Sequence, residues 1–536
     1  MKRYIWAAPG DVNAFFGLML DNIADLVLLV GLLKGAYDFD ATFALRYMVP
    51  GTAVGVLVGD LLFTWQAFRL ARRTGRSDIT AMPLGLDTPS TFGLVFFVLG
   101  PAFLAAKQSG LDPEAAARHA WHIGMATIVT SGVFKLACAA GTGWIRRILP
   151  RAGLLGSLAA IALVLISFLP LLELLHVPVV GFLSLAVILT TLVARLKLPG
   201  RIPGALGALL VGGIVYYCMR AAGAIAPEAS PINPADALLP TEWLEAFRFE
   251  WVQSFGESLR YLPVVIPFAL ATIVGGIDCT ESAAAAGDEY HTPTIIAIEG
   301  FATLVAGLCG AVLQTTPYIG HPAYKAMGGR AAYTLATALF VGSAGLLGYF
   351  AYFYAVIPKA AIFPIMIFIG LEITAQSFLA TPRKHYPAVV LACIPAMASL
   401  LIIFVDQLLA TLGTTLEQLA GRNLLLAQNL QTIRMLSSGF IVTSLLWASA
   451  LASLIDRRLK RAACYFAVAA VCAFFGIIHS PLPGSPLALP WRLPAELPAF
   501  ASGQSPYYLA GSYAAVALLW LAWNALARPK EESERS

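Results

Sequence analysis

Charged side chains are scarce in this sequence. Asp, Glu, Lys and Arg make up only 12% of its 536 residues, whereas 59% are hydrophobic and the mean hydropathy is +0.77. A soluble domain has about 25% charged residues. The composition therefore excludes a soluble globular protein and indicates an integral membrane protein.

Motifs for metal binding, redox chemistry and common enzyme reactions are also lacking. The seven cysteines are scattered, mostly inside apolar segments, and no two form a CxxC pair. Such cysteines are typical of small core residues rather than of metal ligands or disulfides. There is no HExxH, no phosphate-binding loop and no Ser–His constellation. We therefore expect neither an enzyme nor a resident cofactor or metal.

Long apolar runs, by contrast, are abundant. An apolar helix of about 20 residues crosses a bilayer, and runs of this kind predict about sixteen spans. They lie near residues 14–34, 44–70, 79–99, 119–145, 152–171, 178–195, 204–220, 260–286, 293–312, 314–328, 332–356, 360–380, 386–406, 433–455, 461–479 and 507–527. This pattern predicts an all-α polytopic protein of a bacterial inner membrane.

Positive charge is concentrated in alternate loops. Of the 35 Lys and Arg residues, 23 fall in loops on the same side as the N-terminus. The opposite side carries the acidic segment "PEASPINPADALLPTEWLE". The positive-inside rule then predicts that both termini are cytoplasmic. The net charge of +5 reflects this topology, so no nucleic-acid partner is expected.

The third span is interrupted by "AMPLGLDTPS". Pro83 lacks a backbone donor and Gly85 relaxes the backbone, which favours an extended segment. Thr88 or Asp87 is suited to cap a helix whose first turn contains Pro89. The pattern predicts an extended piece followed by a half-helix that begins inside the membrane.

The tenth span repeats this pattern in "QTTPYIGHPAYKAMGGR". The extended "QTTPYIG" precedes a helix start at His321 and Pro322, and the short helix ends at Gly328 and Gly329. The two broken spans are seven apart, and an odd number of spans per repeat inverts the second copy. Broken helices at matching positions of inverted repeats indicate the substrate site of a transporter.

Acidic residues occur inside two corresponding spans. Asp21 and Asp25 are one helical turn apart in span 1, and Asp278 and Glu281 share a face of span 8. A carboxylate at membrane depth is costly unless it is protonated, paired or functional. Two acids one turn apart also repel each other, which favours proton exchange. We predict that these four residues couple transport to a proton or sodium gradient.

Other charged residues admit a structural interpretation beside a functional one. Asp60 and Lys135, in or near spans 2 and 4, are suited to pair with each other. Glu299 and Glu372 are suited to helix–helix hydrogen bonds. His321 lies in the first turn of a half-helix, which favours a role at the substrate. Three residues at the end of span 8 are expected to be solvated: Asp288, Glu289 and His291.

These motifs, in this order, resemble the nucleobase/ascorbate transporter superfamily, and its bacterial purine permease branch in particular. "GGIDCTES" in span 8 is similar to the branch's Phe-Asp-Thr helix. "QTTPYIGHPAYKAMGGR" is similar to its Thr-Thr-Tyr-Ile-Glu segment ending in Gly-Gly-Arg, and "MPLGLDTPSTFG" to its broken third span. The resemblance covers about residues 10–455.

The resemblance implies a fold of seven plus seven spans in inverted repeats, as in uracil permease and the sulfate permeases. Two further C-terminal spans exceed that pattern. Homodimers are usual in the family. The implied regions are a core domain (1–150 and 257–358), a gate domain (151–256 and 359–455), and the additional spans with a cytoplasmic tail (456–536).

The resemblance also implies where the substrate lies. In that family, acids on spans 8 and 10 hold the base, and a proton gradient commonly drives uptake. Asp278 matches the span 8 acid, whereas the span 10 glutamate falls at Gly320 or His321. The implied substrate-binding residues are Leu86, Asp87, Thr88, Asp278, Glu281, Thr316, Tyr318, Gly320 and His321.

The predicted function is secondary active transport, with proton-coupled uptake of a purine, pyrimidine or related heterocycle as the main hypothesis. The alternative on the same fold is a small anion of the sulfate, carboxylate or bicarbonate type, bound at the two half-helix N-termini. His321 in place of an acid favours this alternative. A membrane-embedded enzyme is the least favoured class. The expected partners are the small-molecule substrate and the lipid bilayer.

Overall fold

The computed structural model describes residues 4–141, 150–226, 232–318, 320–482, 501 and 506–526. Among these residues, the regular structure is helical apart from two strands of three residues each. Every predicted span falls on a helix, a bent helix pair, or a strand followed by a helix. The predicted all-α polytopic fold is confirmed.

The first seven spans comprise seven helices and one strand. In chain order these are α1 (Gly10–Tyr37), α2 (Ala41–Thr74), β1 (Leu84–Leu86), α3 (Thr88–Gln108), α4 (Pro113–Ala139), α5 (Ala152–Leu175), α6 (Pro178–Val193) and α7 (Gly204–Ala221). The connection to the next span contains three 3-10 turns: Pro234–Ala237, Glu242–Arg248 and Glu250–Ser254.

The second set has the same order, with a strand and a half-helix again in third place. Its elements are α8 (Leu262–Ala285), α9 (Thr292–Leu308), β2 (Thr315–Pro317), α10 (His321–Ala326), α11 (Ala332–Leu346), α12 (Phe350–Val356), α13 (Lys359–Leu379), α14 (Tyr386–Thr411), α15 (Leu416–Arg422), α16 (Leu424–Ser437) and α17 (Phe440–Ile455). The two additional C-terminal helices are α18 (Leu459–Phe474) and α19 (Pro506–Leu526).

Many of these helices can cross a membrane. In the described ranges, ten are long and apolar enough, and up to twelve if two bent pairs each form one span. The bent pairs are α11 with α12, at 88°, and α16 with α17, at 73°. The helices α6 and α9 are shorter but apolar. The chain is therefore a multi-pass membrane protein.

The chain divides into two compact units. The first consists of Met1–Trp144 and Ile166–Ile369, and the second of Ile145–Leu165 and Gly370–Ser536. Both broken spans lie in the first unit. In the second unit, the Trp447 indole on α17 donates a hydrogen bond to the Tyr513 hydroxyl on α19 at 2.8 Å. The division into core and gate domains implied by the family resemblance stays a prediction.

The half-helix α3 begins at Thr88 because Asp87 caps it. The Asp87 backbone is extended, with ψ 96°, and its carboxylate accepts a hydrogen bond from the Ser90 amide at 3.0 Å. Pro89 lies in the first turn, where a helix needs no backbone donor. Of the two predicted caps, Asp87 is the one used. By contrast, α10 follows Gly320, which has no side chain to cap the helix.

The extended segments of the two broken spans pair with each other as an antiparallel two-stranded sheet. The Tyr318 amide donates to the Pro83 carbonyl at 2.8 Å, and the Asp87 amide to the Gln314 carbonyl at 3.1 Å. Unpaired backbone groups would be costly at membrane depth, so this pairing stabilises both interruptions. The register pairs are Leu84–Pro317, Gly85–Thr316 and Leu86–Thr315.

The N-terminal segment contacts two loops at one end of the first unit. The Tyr4 hydroxyl donates to the Ile79 carbonyl, in the segment after α2, at 2.8 Å. The Asp11 carboxylate accepts from the Arg330 amide, after α10, at 2.8 Å. The charge pattern predicts that all three segments are cytoplasmic. The structure brings these segments to one end of the first unit, and their cytoplasmic location stays a prediction.

We expect a reporter that is active only in the periplasm to give no signal when fused after Ser536. The reason is the 23 basic residues that share the side of the N-terminus. The same reporter inserted after Leu238, between α7 and α8, is the matched control and should give a strong signal. The reverse pattern of signals would contradict the predicted topology.

Candidate substrate site at the paired strands

One face of α1 contacts β1 and the beginning of α3. The Asn22 side-chain oxygen accepts a hydrogen bond from the Leu86 amide at 3.1 Å. Asp25 Oδ2 accepts from the Thr88 hydroxyl at 3.1 Å. Asp21 Oδ2 lies 3.5 Å from the position that a Cβ would take at Gly85. Asp25 therefore contacts Thr88, one of the predicted substrate-binding residues, and Asp21 lies beside Gly85 of β1.

These two carboxylates are buried and incompletely paired. Asp21 is 4% exposed and Asp25 is fully buried. Oδ1 of each has no hydrogen-bond partner within the described part of the chain. An ionised carboxylate in such surroundings is costly without a counter-charge. Protonation or a bound cation would remove this cost, and the coupling role of the two residues stays a prediction.

The outer sides of the two strands are held by different charged residues. Asp60 on α2 accepts a hydrogen bond from the Leu84 amide of β1 at 3.0 Å. Lys135 on α4 donates to the Thr315 carbonyl of β2 at 3.0 Å and pairs with Glu299 on α9 at 2.8 Å. The expected Asp60–Lys135 pair is therefore wrong, because each residue holds the edge of a different strand.

Only one of the two glutamates expected to join helices is seen to do so. Glu299 on α9 joins that helix to α4 through its ion pair with Lys135. Glu372 instead accepts a hydrogen bond from Gln376, one turn along its own helix α13, at 2.8 Å. The expectation for Glu372 is corrected accordingly, because the partner in reach lies four residues away.

The predicted acids of span 8 occupy different surroundings. Asp278 is half-buried on α8. The adjacent Cys279 thiol donates to the Pro317 carbonyl of β2 at 3.4 Å, which places this turn of α8 against the strand. Glu281, one turn further along, is exposed. The structure brings Asp278 close to the paired strands and Glu281 towards the surface of the unit.

The second broken span is more accessible than the first. Thr316 in β2, and Tyr318 and Gly320 after it, are each partly exposed, in contrast to the buried Leu86, Asp87 and Thr88 of the first broken span. The ring of Tyr318 stacks with that of Tyr324, on α10, at a centroid distance of 6.2 Å. The more accessible wall of the site is therefore formed by the second broken span.

The His321 side chain is directed away from the paired strands. It is fully buried, and its Nε2 lies 3.1 Å from the Thr80 carbonyl and 3.3 Å from Asp288 Oδ2. Nδ1 has no hydrogen-bond partner among the described residues. Only the backbone of His321 therefore lies at the start of α10. Its imidazole belongs to a separate polar cluster.

That cluster is centred on Asp288, in the loop between α8 and α9. Asp288 is fully buried and pairs with Lys325 Nζ at 2.5 Å and with Arg76 Nη1 at 3.3 Å. The Thr80 amide also donates to it at 3.0 Å. The expectation that Asp288 is solvated is wrong, because cations from two other segments cover it. Glu289 and His291 are exposed, as expected.

The electrostatics of Asp288 reflect these partners. Burial raises the pKa of Asp288, but hydrogen bonds from His321 and Lys325 outweigh this effect and hold the pKa below its ordinary value. A depressed pKa means that the ionised form stabilises the folded protein. The contribution is present above the ordinary pKa of about 4 and is lost as the pH falls through the folded-state value.

Asp288→Asn is therefore expected to destabilise the protein at pH 7 by about 3 kcal/mol, because Lys325 and Arg76 lose a buried partner. Thermal unfolding of wild type and variant in detergent, at several pH values, tests this. The difference between them should shrink as the pH falls below the ordinary pKa of about 4 and through the lower folded-state value, because Asp288 then becomes protonated. A difference that does not depend on pH would contradict the assigned role of the carboxylate.

Sequence reasoning missed several residues that hold the site. Asn22 and Gln314 contact the broken spans directly, through the Leu86 amide and the Asp87 amide. A signal for Asn22 was present, since it lies between two acids within an apolar span. Gln314 is likewise a polar residue inside an apolar run.

No protein-family model and no characterised protein sequence matches the chain. Among solved structures, the transmembrane domain of a cyanobacterium bicarbonate transporter, BicA, is similar at 15% identity and a TM-score of 0.47, over 76% of this chain and 98% of that chain. SLC26A9 is similar at 10% identity and a TM-score of 0.47, over 72% of this chain and 62% of its own. The murine Slc26a9 anion transporter in its inward-facing state gives 12% identity and a TM-score of 0.43, over 74% and 66%.

Proposed function

We propose that the protein is a secondary active transporter that carries a small anion together with a proton or a sodium ion. The observation that carries this proposal is the antiparallel pairing of β1 with β2. Each of these strands is followed by a half-helix that begins inside the membrane region. Half-helices that begin near the midplane present free amides and a positive dipole end to a substrate.

The anion is assigned to the end of β2 rather than to that of β1. The beginning of α3 is already occupied by the Asp87 carboxylate, which would repel an anion. The beginning of α10 is preceded by Gly320, and the His321 side chain points towards Asp288. The cap position of α10 therefore carries no carboxylate that would compete with an anion, unlike that of α3.

The coupling ion is assigned to Asp21 and Asp25. Each has a buried oxygen without a hydrogen-bond partner in the described ranges, and both lie beside β1. A proton or sodium ion there would neutralise negative charge close to the anion. Opposite charges attract strongly in a medium of low dielectric constant, so each ligand favours binding of the other. This reciprocity is the physical basis of coupled transport.

A neutral heterocycle is the second candidate. The observation in its favour is the acidic wall formed by Asp21, Asp25 and Asp87, since carboxylates accept hydrogen bonds from ring N–H groups. Against it stands the second broken span, where the glutamate that holds the base in the resembling family falls at Gly320 or at His321, neither of which is an acid.

Thermal unfolding of the purified protein with a panel of ligands tests the proposal. The panel contains sulfate, bicarbonate and acetate, with uracil and xanthine as neutral competitors, each in sodium and in potassium buffers at two pH values. A ligand at 100 times its Kd stabilises by about 2.7 kcal/mol. We expect stabilisation by an anion that depends on sodium or on acidic pH. Stabilisation by the heterocycles alone would favour the second candidate.

A further inference from the structure

A buried ion pair lies behind β2 and has no part in the proposed coupling. Lys135 and Glu299 are both fully buried, and their side chains are 2.8 Å apart. Lys135 Nζ also donates to the Thr315 carbonyl at 3.0 Å and lies 3.5 Å from the Thr303 hydroxyl. Thr315 pairs with Leu86, next to the central Gly85–Thr316 pair of the two-stranded sheet. The ammonium group therefore lies one residue along β2 from the middle of this sheet.

A second acid lies in the same network. Asp87 is 8% exposed, and the Gln314 side chain donates to its carboxylate at 3.4 Å. Gln314 in turn accepts from the Ser131 hydroxyl, one turn before Lys135 on α4, at 2.8 Å. The network therefore contains two carboxylates and one ammonium group, and Lys135 keeps an acidic neighbour even without Glu299.

The packing fixes Glu299 in this position. Glu299 Oε2 lies only 2.9 Å from the place that a Cβ would take at Gly276, on α8. That Cβ would also be 2.6 Å from the Ile296 side chain, so a side chain at position 276 would displace both Ile296 and Glu299 from their positions. The carboxylate is thus held between two helices, with Lys135 as its counter-charge.

From these contacts we infer that Lys135 determines the charge selectivity of the substrate site, and that Glu299 attenuates its effect. The inference rests on the proposed function. Lys135 does not need to touch the substrate, because a unit charge acts over several ångströms in a medium of low dielectric constant. It is a positioning residue for β2 and, through its charge, the source of a positive potential at the paired strands.

The test compares anion binding by wild type, Glu299→Gln and the double variant Lys135→Met/Glu299→Gln, using calorimetry with sulfate and bicarbonate. Glu299→Gln removes the attenuating charge and should tighten anion binding by about tenfold relative to the double variant. Wild type should bind the anions more tightly than the double variant, by about threefold, because Lys135 contacts the Thr315 carbonyl of β2 and Glu299 reduces its effect without cancelling it. The double variant is expected to fold, because replacing both partners of a buried ion pair is often tolerated.

A purely structural role predicts a different order. If the pair only holds the helices together, Glu299→Gln should bind the anions more weakly than wild type does, and no more tightly than the double variant does. Either result would overturn the inference. Thr127→Val is the matched control, because the Thr127 hydroxyl, two turns before Lys135, donates to the Gly124 carbonyl of its own helix at 2.7 Å and the substitution changes no charge. Its affinity should equal that of wild type. If wild type itself binds neither anion, the proposed function has failed instead.

Discussion

Replacing Gly85 by valine is expected to abolish binding of the coupling ion at Asp21 and Asp25, and thereby to weaken anion binding strongly, while the protein stays folded and membrane-inserted. A Cβ at Gly85 would lie 3.5 Å from Asp21 Oδ2 and 4.0 Å from the Asn22 side-chain oxygen, which are ordinary contact distances. The two methyl groups of valine would then fill the space between β1 and α1. Valine is also well suited to a strand. Calorimetry and thermal unfolding of the same preparation measure both quantities.

Two other glycines serve as controls for this substitution. A Cβ at Gly275, on α8, meets nothing within 4 Å, so Gly275→Ala should change neither folding nor binding. A Cβ at Gly51 would lie 2.3 Å from the Cys309 carbonyl oxygen, so Gly51→Ala should reduce the amount of folded protein. Unchanged anion affinity in Gly85→Val would place the coupling-ion site elsewhere in the molecule.

Asp25→Asn is expected to lower gradient-driven accumulation of substrate by about a hundredfold. Asn keeps the shape and can still bond to the Thr88 hydroxyl, but it cannot carry a titrating proton or neutralise a cation. The stability of the variant should equal or exceed that of wild type, because a buried, incompletely paired carboxylate is removed. Uptake into proteoliposomes and thermal unfolding together separate lost coupling from lost folding.

Thr88→Val is the control for the hydrogen bond between Thr88 and Asp25. It removes the same bond, of 3.1 Å, but leaves the carboxylate in place. We expect it to retain accumulation, with at most a modest loss. Equal losses in the two variants would mean that the bond, rather than the carboxylate, is what transport requires.

The features that could be predicted from sequence are those encoded within one segment. Proline and glycine placement in "AMPLGLDTPS" marks the interruption of the third span, and the structure starts the half-helix at Thr88. Asp21 and Asp25 could be identified because acids are conspicuous in an apolar run. The alternation of basic loops identified the segments that the structure brings to one end of the first unit.

The features that could not be predicted are those that depend on which segments meet. Asp60 and Lys135 looked like a pair, yet each finds a different strand, and no local pattern encodes that choice. Asp288 looked solvated because it follows a span, but Lys325 and Arg76 arrive from distant positions to cover it. The direction of the His321 side chain is set by the same cluster and is invisible in the sequence around Pro322.

The most direct test of the central claim is uptake into proteoliposomes that contain the purified protein. Labelled sulfate, bicarbonate and uracil are supplied in parallel, with an inward sodium gradient, an inward proton gradient, or neither. We predict that one of the anions accumulates above its external concentration, only when one of the two gradients is imposed, and that Asp25→Asn abolishes this accumulation. Accumulation of uracil without any anion, or anion accumulation that needs no cation gradient, would contradict it.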